Sequence, residues 1–118
     1  TLNGIIHPLV RDDFEQWSLF HNEKPWVVME AAILFESAFN SLMNKTIVVY
    51  APMEICISRV MARDQVNRTD VLARMNNQWD PEKITKQADF IILNDNQQPV
   101  LPQILELKNL IDRISLEA

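Results

Sequence analysis

The sequence predicts an α/β fold in which parallel strands alternate with helices. Three short apolar runs, at residues 26–30, 46–50 and 90–93, are typical of strands, and the segments between them carry apolar residues at helical spacing. Strands separated by helices pair in parallel through right-handed crossovers. The 118 residues are enough for one domain with a hydrophobic core of its own.

The first third of the chain is predicted to contain two helices and a strand. Apolar residues recur every three or four positions over residues 2–21, which indicates a helix. Pro8 falls inside this pattern, so the helix is expected either to kink there or to begin near His7-Pro8. A buried strand at residues 26–30 and a short helix over residues 36–43 complete this part.

The middle of the chain has clearer signals. Residues 46–50 are rich in β-branched side chains and predict a strand, and a helix is expected over residues 53–64. The side chains of that helix expected to face inward are Ile55, Cys56, Val60 and Met61. Either Asn67 or Thr69 is expected to cap a further helix over residues 70–78.

The last third is predicted as helix, strand and helix. Asp80-Pro81 combines a capping residue with a proline at the first helical position, and this helix should run to about Ala88. Residues 90–93 are continuously apolar, which indicates a strand buried on both faces. Residues 101–114 form an amphipathic closing helix.

Composition narrows the function classes. The net charge of −5 argues against a general nucleic-acid binder, because such proteins need a basic surface, but a few local arginines can still bind a small anion. Cys56 is the single cysteine, so an internal disulfide is impossible, and no Cys/His cluster suggests zinc. No apolar run is long enough to span a bilayer, and we expect a cytoplasmic protein.

Glycine is almost missing from the chain. Gly4 is the only one, so these residues contain no glycine-rich loop to cradle phosphates. An α/β protein with several strand–helix turns normally carries several glycines. We therefore expect that the chain is an excised or truncated piece and that the glycine-rich part lies elsewhere.

Arginines mark the helix that follows the strand at 46–50. Arg59 and Arg63 lie four residues apart on one helix face, Arg68 follows across a polar segment, and Arg74 lies on the next helix. Small-molecule kinases build a lid over transferring phosphates in this way, because guanidinium groups pair bidentately with phosphate. The alternative is a solvated basic face whose arginines pair with Glu54 or Asp64.

Three further residues are candidates with ordinary alternatives. His7 is either a ligand-binding group or a helix cap at the surface. Glu36 and Asn94 follow apolar runs at predicted strand ends, where parallel sheets bind ligands. Glu36 could equally stabilise a helix dipole, and Asn94 could be a simple turn residue.

Four segments, in order along the chain, resemble the dephospho-coenzyme A kinase family. They are Leu2-Asn3-Gly4-Ile5-Ile6-His7-Pro8-Leu9-Val10, Ala32-Ile33-Leu34-Phe35-Glu36, Ala51-Pro52-Met53-Glu54 with Arg59, Arg63, Asp64, Arg68 and Gln78, and Ala88-Asp89-Phe90-Ile91-Ile92-Leu93-Asn94. The resemblance covers nearly the whole chain.

The resemblance implies a P-loop kinase fold, here incomplete: a parallel sheet between layers of helices, with a helical lid. Residues 1–25 would belong to the coenzyme-binding part, residues 26–59 and 80–118 to the core, and residues 60–79 to the lid. The family transfers the γ-phosphoryl group of ATP to the 3′-hydroxyl of dephospho-coenzyme A with Mg²⁺. The phosphate loop, its lysine, the Mg²⁺-binding hydroxyl and the residue that activates the acceptor are not in this chain.

The resemblance also implies roles for the candidate residues. His7 and Glu36 would bind the acceptor, Arg63 and Arg68 would act in catalysis on the phosphates, and Arg63 and Asn94 would bind the nucleotide. No metal ligand is expected among these residues.

Two departures from the family pattern stand out. Ala32 replaces a usual proline. Asn96 stands where the family often has glycine, and asparagine tolerates the left-handed conformation that such a turn requires.

The chain alone is predicted to be inactive, because the phosphate loop of the family is not among its residues. It is also predicted to be poorly stable, because without the central strand of the family two apolar strand edges face a gap. Two other functions remain open. One is a non-catalytic, kinase-derived interaction module, and the other is a different small-molecule kinase of this fold, which the His7-Pro8 segment argues against.

Overall fold

The computed structural model describes residues 2–117. Along the chain it contains helix α1 (Leu2–Phe20), a 3₁₀ helix (Phe39–Leu42), strand β1 (Ile47–Tyr50), helices α2 (Met53–Asp64), α3 (Arg68–Met75) and α4 (Pro81–Gln87), strand β2 (Phe90–Leu93) and helix α5 (Val100–Glu117). The predicted alternation of strands and helices after residue 46 is confirmed.

The two strands form a parallel sheet. Ile47 lies opposite Phe90 and Tyr50 opposite Leu93, so the strands begin and end level with one another. Helix α4 packs against β1 and helix α5 against β2. The predicted parallel pairing is confirmed for these two strands.

Thr46 and Asp89 fix the register of this sheet at its amino-terminal edge. The Thr46 backbone N–H donates to Asp89 Oδ2 at 2.8 Å, and its hydroxyl donates to the same oxygen at 3.2 Å. In return the Asp89 and Phe90 N–H groups donate to the Thr46 carbonyl oxygen, each at 3.1 Å. Thr46 is only 8% exposed, so this hydrogen-bonded clasp replaces water at a buried position.

The other end of β2 is tied to α5 by Gln103. Its Oε1 accepts from the Leu93 N–H at 2.7 Å, and its Nε2 donates to the Leu93 and Pro99 carbonyl oxygens at 3.0 and 2.9 Å. One amide side chain therefore satisfies the backbone of the last strand residue and positions the turn that leads into α5.

The hydrophobic core is small. Ile57 on α2 and Val71 on α3 are each 1% exposed, and both belong to the buried apolar set Phe35, Phe39, Ala51, Ile57, Val71, Ile92 and Leu107. The four α2 side chains predicted to face inward are only half-buried, and the fully buried one, Ile57, was not among them. Helix α3 packs against α2 and contributes Val71, the other fully buried side chain.

The prediction of a strand at residues 26–30 was wrong. This segment has no strand pairing in the described chain, and Val28 is 63% exposed. It is held by α5 instead: Trp26 Nε1 donates to Asp112 Oδ1 at 2.8 Å, and Ser115 Oγ donates to the Pro25 carbonyl oxygen at 2.6 Å. An apolar run becomes a strand only beside a partner that supplies ladder hydrogen bonds.

Two other predictions also differ from the structure. Residues 36–43 form turns and a short 3₁₀ helix rather than an α-helix, because Ala38 adopts a left-handed conformation with φ 62° that interrupts helical hydrogen bonding. Strand β2 is not buried on both faces: Ile92 is buried, whereas Ile91 is 46% exposed.

Helix boundaries shift modestly from those predicted. Helix α1 begins at Leu2 and includes Pro8, so the alternative start near His7-Pro8 was wrong. Helix α3 begins and ends earlier than expected, and α5 runs three residues further than expected, to Glu117.

The buried position of Ile57 predicts a large effect on stability. We expect Ile57→Ala to lower the free energy of unfolding by about 2–5 kcal/mol, because it leaves a cavity between α2 and α3. Ile5→Ala, at a position 65% exposed, is the matched control and should change it by less than about 0.5 kcal/mol. Urea denaturation followed by circular dichroism measures both changes. Equal effects of the two substitutions would contradict the assignment of Ile57 to the core.

Candidate active site

A tight turn joins α2 to α3. Helix α2 ends at Asp64, and the next residue, Gln65, adopts a left-handed conformation with φ 55° and donates its Nε2 to the Ala62 carbonyl oxygen at 2.7 Å. Asn67 then caps α3, because its Oδ1 accepts from the Asp70 N–H at 2.9 Å. Of the two predicted caps, Asn67 is therefore correct, and the turn places Arg68 at the start of α3.

Asp64, the last residue of α2, joins two arginines. Its Oδ1 accepts from Arg63 Nε at 2.7 Å, and its Oδ2 accepts from Arg63 Nη2 at 3.1 Å and from Arg74 Nη1 at 2.8 Å. The side chains of Arg63 and Arg74 are 72% and 57% exposed, and that of Asp64 is 27% exposed. The carboxylate thus lies beneath two guanidinium groups that face solvent.

Arg68 makes a separate bidentate ion pair. Its Nη1 and Nη2 donate to the two carboxylate oxygens of Glu54 at 2.8 and 2.7 Å. Both residues of this pair line an open groove of about 660 Å³ beside α2, together with Ile57 and Met61. The predicted alternative, in which these arginines pair with Glu54 and Asp64, is confirmed in this conformation.

Helix geometry separates the two arginine clusters. Glu54 and Arg63 are nine residues apart in sequence, which is about two and a half turns of α-helix, so they project from opposite sides of α2. Arg68 therefore lies on one side of α2 and Arg63 on the other. The structure does not bring together the two arginines that the sequence analysis assigned to catalysis.

The Arg63 side of α2 faces the turn that follows β2. Arg59, one helical turn before Arg63, donates Nη2 to Asn96 Oδ1 at 2.8 Å. Asn96 has φ 67°, which confirms the expected left-handed conformation. Asn94 begins this turn, and its N–H donates to the Tyr50 carbonyl oxygen at 2.8 Å. Asn94 therefore lies at the carboxyl end of the sheet.

His7 lies in a second region, where α1 contacts Phe39 and Ser41, and Glu36 precedes Phe39 by three residues in the sequence. The His7 ring lies 5.9 Å from the Phe39 ring, and Arg11 Nη2 donates to Ser41 Oγ at 3.2 Å. Glu36 Oε2 is buried and has no hydrogen-bond partner among the described residues. A buried carboxylate oxygen without a partner is energetically unfavourable, so this atom is suited to accept a hydrogen bond from a ligand.

The ion pairs shift the ionisation of their members. Hydrogen bonds from Arg63 and then Arg74 lower the pKa of Asp64 from 3.8 to about 2. The hydrogen bond from Arg68 lowers the pKa of Glu54, and the carboxylate partners raise the pKa of Arg63 and Arg68. All four groups are charged at neutral pH, and the site keeps its cations over the whole physiological range.

The bridging role of Asp64 was missed by the sequence analysis. A signal for it exists, because the carboxyl end of a helix disfavours an acidic residue. An aspartate at the last position of a helix is therefore expected to have cationic partners, here Arg63 and Arg74.

Residues 2–117 contain no group of three or more His, Cys, Asp or Glu side chains placed to hold a metal ion. None of the helices in this part of the chain is both long and apolar enough to cross a membrane.

The comparisons with known proteins decide the family. A family model described as dephospho-CoA kinase matches residues 1–99. This chain belongs to the dephospho-CoA kinase family. Dephospho-CoA kinases of Bacteroides fragilis and Porphyromonas gingivalis are 40% and 39% identical to it, each over 90% of this chain and 52% of the relative. The chain thus spans about half the length of the curated relatives it matches.

A solved structure supports the fold of this family member. The crystal structure of TT1252 from Thermus thermophilus superposes with a TM-score of 0.78 at 33% identity, covering 90% of this chain and 55% of that one. Together with the parallel sheet and flanking helices, this confirms the predicted α/β, P-loop kinase-like fold.

The Asp64 junction, formed by Asp64 with Arg63 and Arg74, predicts that the Asp64 carboxyl group titrates at an unusually low pH. The pKa of Asp64 is about 2 in the folded chain and 3.8 without its partners, so its stabilising effect is complete above pH 3.8 and is lost as the pH falls through 2. A carboxyl-carbon NMR titration should give a midpoint near 2, and Arg74→Ala should move it upward. A wild-type midpoint at 3.8 would mean that the junction does not form in solution.

Proposed function

We propose that the protein carrying this chain is a dephospho-coenzyme A kinase that transfers the γ-phosphoryl group of ATP to the 3′-hydroxyl of dephospho-coenzyme A. The observation that most directly supports this proposal is that the family match spans both α1 and the arginines of α2 and α3. In this proposal the protein binds the two small-molecule substrates and no nucleic acid. It acts in the cytoplasm.

The phosphate side of the proposed site uses Arg63 and Arg68. Phosphoryl transfer depends on positioning and on neutralising charge spread over the phosphate oxygens, which guanidinium groups do well. Arg63 is highly exposed and keeps free N–H donors beside its contact with Asp64. Arg68 must first leave Glu54. Because that pair is solvent-exposed, it is weak enough for a polyphosphate to replace.

The nucleotide side uses Arg63 and Asn94. In the proposal the adenine of ATP lies near Asn94, at the carboxyl end of β2, where open parallel sheets bind ligands. The backbone bond from Asn94 to Tyr50 holds this position rigid. Arg63 lies on the α2 face that carries Arg59, whose bond to Asn96 joins the helix to the same turn.

The acceptor side uses His7 and Glu36. The unpartnered Glu36 oxygen is available to a hydroxyl or amide of dephospho-coenzyme A. The His7 ring, packed on Phe39, presents a second polar edge from α1. Residues 1–25 are proposed as part of the coenzyme-binding region and residues 60–79 as the lid, with the rest in the core.

Mg²⁺ and the phosphate loop are assigned outside these residues. The described chain offers no cluster of metal-ligating side chains, and its one glycine cannot build a phosphate loop. Mg²⁺ would neutralise the ATP phosphates during transfer. In this proposal the 118 residues alone are inactive, and the intact polypeptide is the enzyme.

The alternative is a kinase-derived interaction module without catalysis. Large exposed apolar side chains favour it, among them Phe20 at 83% and Leu116 at 87% exposure at the ends of α1 and α5. Steady-state kinetics of the intact polypeptide separates the two functions, because a non-catalytic interaction module does not turn over ATP and dephospho-coenzyme A.

Two variants of the intact polypeptide should fail in different ways. Arg63→Ala should lower kcat by about tenfold or more, because it removes charge stabilisation from the phosphates. His7→Ala should mainly raise the KM for dephospho-coenzyme A. A coupled assay that varies each substrate in turn measures both. Unchanged kcat for the first, or an effect on ATP alone for the second, would contradict the assigned role.

A further inference from the structure

We propose that Asp64 is a positioning residue that holds the guanidinium groups of Arg63 and Arg74 together as one phosphate-binding pair. The inference rests on the proposed function and adds to it a residue, Arg74, to which the sequence analysis gave no role. Arg74 is thereby the neighbour of Arg63 in this structure, while Arg68 is held by Glu54 on the other side of α2.

The geometry is that of a shared acceptor. One oxygen, Asp64 Oδ2, accepts from Arg63 Nη2 at 3.1 Å and from Arg74 Nη1 at 2.8 Å, so the two guanidinium groups are neighbours. The other oxygen fixes Arg63 through Nε at 2.7 Å. Arg63 is therefore held along one edge by both oxygens, which sets the plane and direction of its guanidinium.

The pair keeps the charge and the donors that a phosphate needs. Two guanidinium groups and one carboxylate leave a net positive charge, and most of the N–H donors of both arginines remain unused by Asp64. Because the carboxylate is the least exposed of the three, an approaching anion meets the cations first.

The position of the pair fits the phosphates of a nucleotide bound at the sheet. Arg63 lies one helical turn beyond Arg59 on the same face of α2, and Arg59 is bonded to Asn96. A nucleotide whose base lies at the 94–96 turn would extend its phosphates along this face. Arg68 lies across the helix, bound to Glu54, and does not share this position.

Of the two effects that the junction can have, its effect on folding stability is the smaller. Exposed ion pairs add little to folding, and these side chains are solvated. A positioned guanidinium, in contrast, has a large effect on a reaction that depends on alignment, because a small misplacement of a binding group strongly lowers the rate.

Charge and positioning make opposite predictions for Asp64→Asn. Removing a carboxylate makes the site more positive, so by charge alone phosphate should bind more tightly. If Asp64 acts by positioning, phosphate should bind more weakly. The amide has one acceptor oxygen instead of two, and its NH₂ group cannot accept, so the three hydrogen bonds from Arg63 and Arg74 cannot all be kept. Binding of inorganic tripolyphosphate to the intact polypeptide, measured by calorimetry without added metal, distinguishes the two.

The expected result is a loss of at least about fivefold in tripolyphosphate affinity and about tenfold in kcat for Asp64→Asn, with the KM for dephospho-coenzyme A unchanged. Asp64→Glu should recover part of the loss. In a background that carries both Arg63→Ala and Arg74→Ala the same change should have little further effect, because the action of Asp64 passes through these two arginines.

Asp112→Asn is the matched control. Asp112 also bridges two donors, accepting from Lys108 Nζ at 2.6 Å and Trp26 Nε1 at 2.8 Å, but it lies on α5 away from the junction. It should leave both readouts unchanged.

Tighter or unchanged tripolyphosphate binding by Asp64→Asn would overturn the positioning role, as would a wild-type protein that does not bind tripolyphosphate. Wild-type binding that Asp64→Asn weakens, without any transfer to dephospho-coenzyme A, would instead reject the proposed function and leave the positioned pair supported.

Discussion

The Thr46–Asp89 clasp is the interaction on which the rest of the structure depends. It sets the parallel register of β1 and β2 at the point where both strands begin. Because the strands then run for equal lengths, they end together, and the Asn94 N–H reaches the Tyr50 carbonyl oxygen. A shift of one residue would turn every strand side chain to the other face of the sheet and separate these ends.

Level strand ends place the functional elements. Helix α2 begins just after β1, and the 94–96 turn follows β2, so the first lies beside the second and Arg59 can bond to Asn96. The same helix then carries Arg63 outward by one turn. Although the net charge of the chain is −5, each of the arginines 63, 68 and 74 is paired with a carboxylate near this helix: Arg63 and Arg74 with Asp64, and Arg68 with Glu54.

The sequence predicted the elements whose signals are local. The strands at β1 and β2, the proline-started α4 and the Asn67 cap all follow from residues within one turn of the element. Residues 26–30 failed because strand formation depends on a distant partner, which composition cannot reveal. Ile57 was missed because the buried side of α2 is decided by α3, whose placement depends on the left-handed turn at Gln65.

In the candidate site, too, local features could be predicted from the sequence and long-range contacts could not. The identities of Arg63, Arg68, His7, Glu36 and Asn94 came from residue type, spacing and family resemblance. The sequence analysis gave ion pairs with Glu54 or Asp64 only as an alternative, because spacing along a helix cannot decide whether Arg74 folds back to Asp64 or Arg68 is held by Glu54. Both contacts cross the turn between α2 and α3, and only the three-dimensional path of that turn determines them.

The family and the fold of this chain are shown, but the chain spans about half the length of the curated relatives it matches. The reaction of the intact polypeptide is therefore the central claim to test. The most direct test is to incubate the intact polypeptide with ATP, Mg²⁺ and dephospho-coenzyme A and to locate the transferred phosphate by mass spectrometry and ³¹P NMR. Our account predicts ATP-dependent formation of a 3′-phosphorylated product. A folded polypeptide that binds both substrates and transfers no phosphate, or transfers it to another position, would contradict the account.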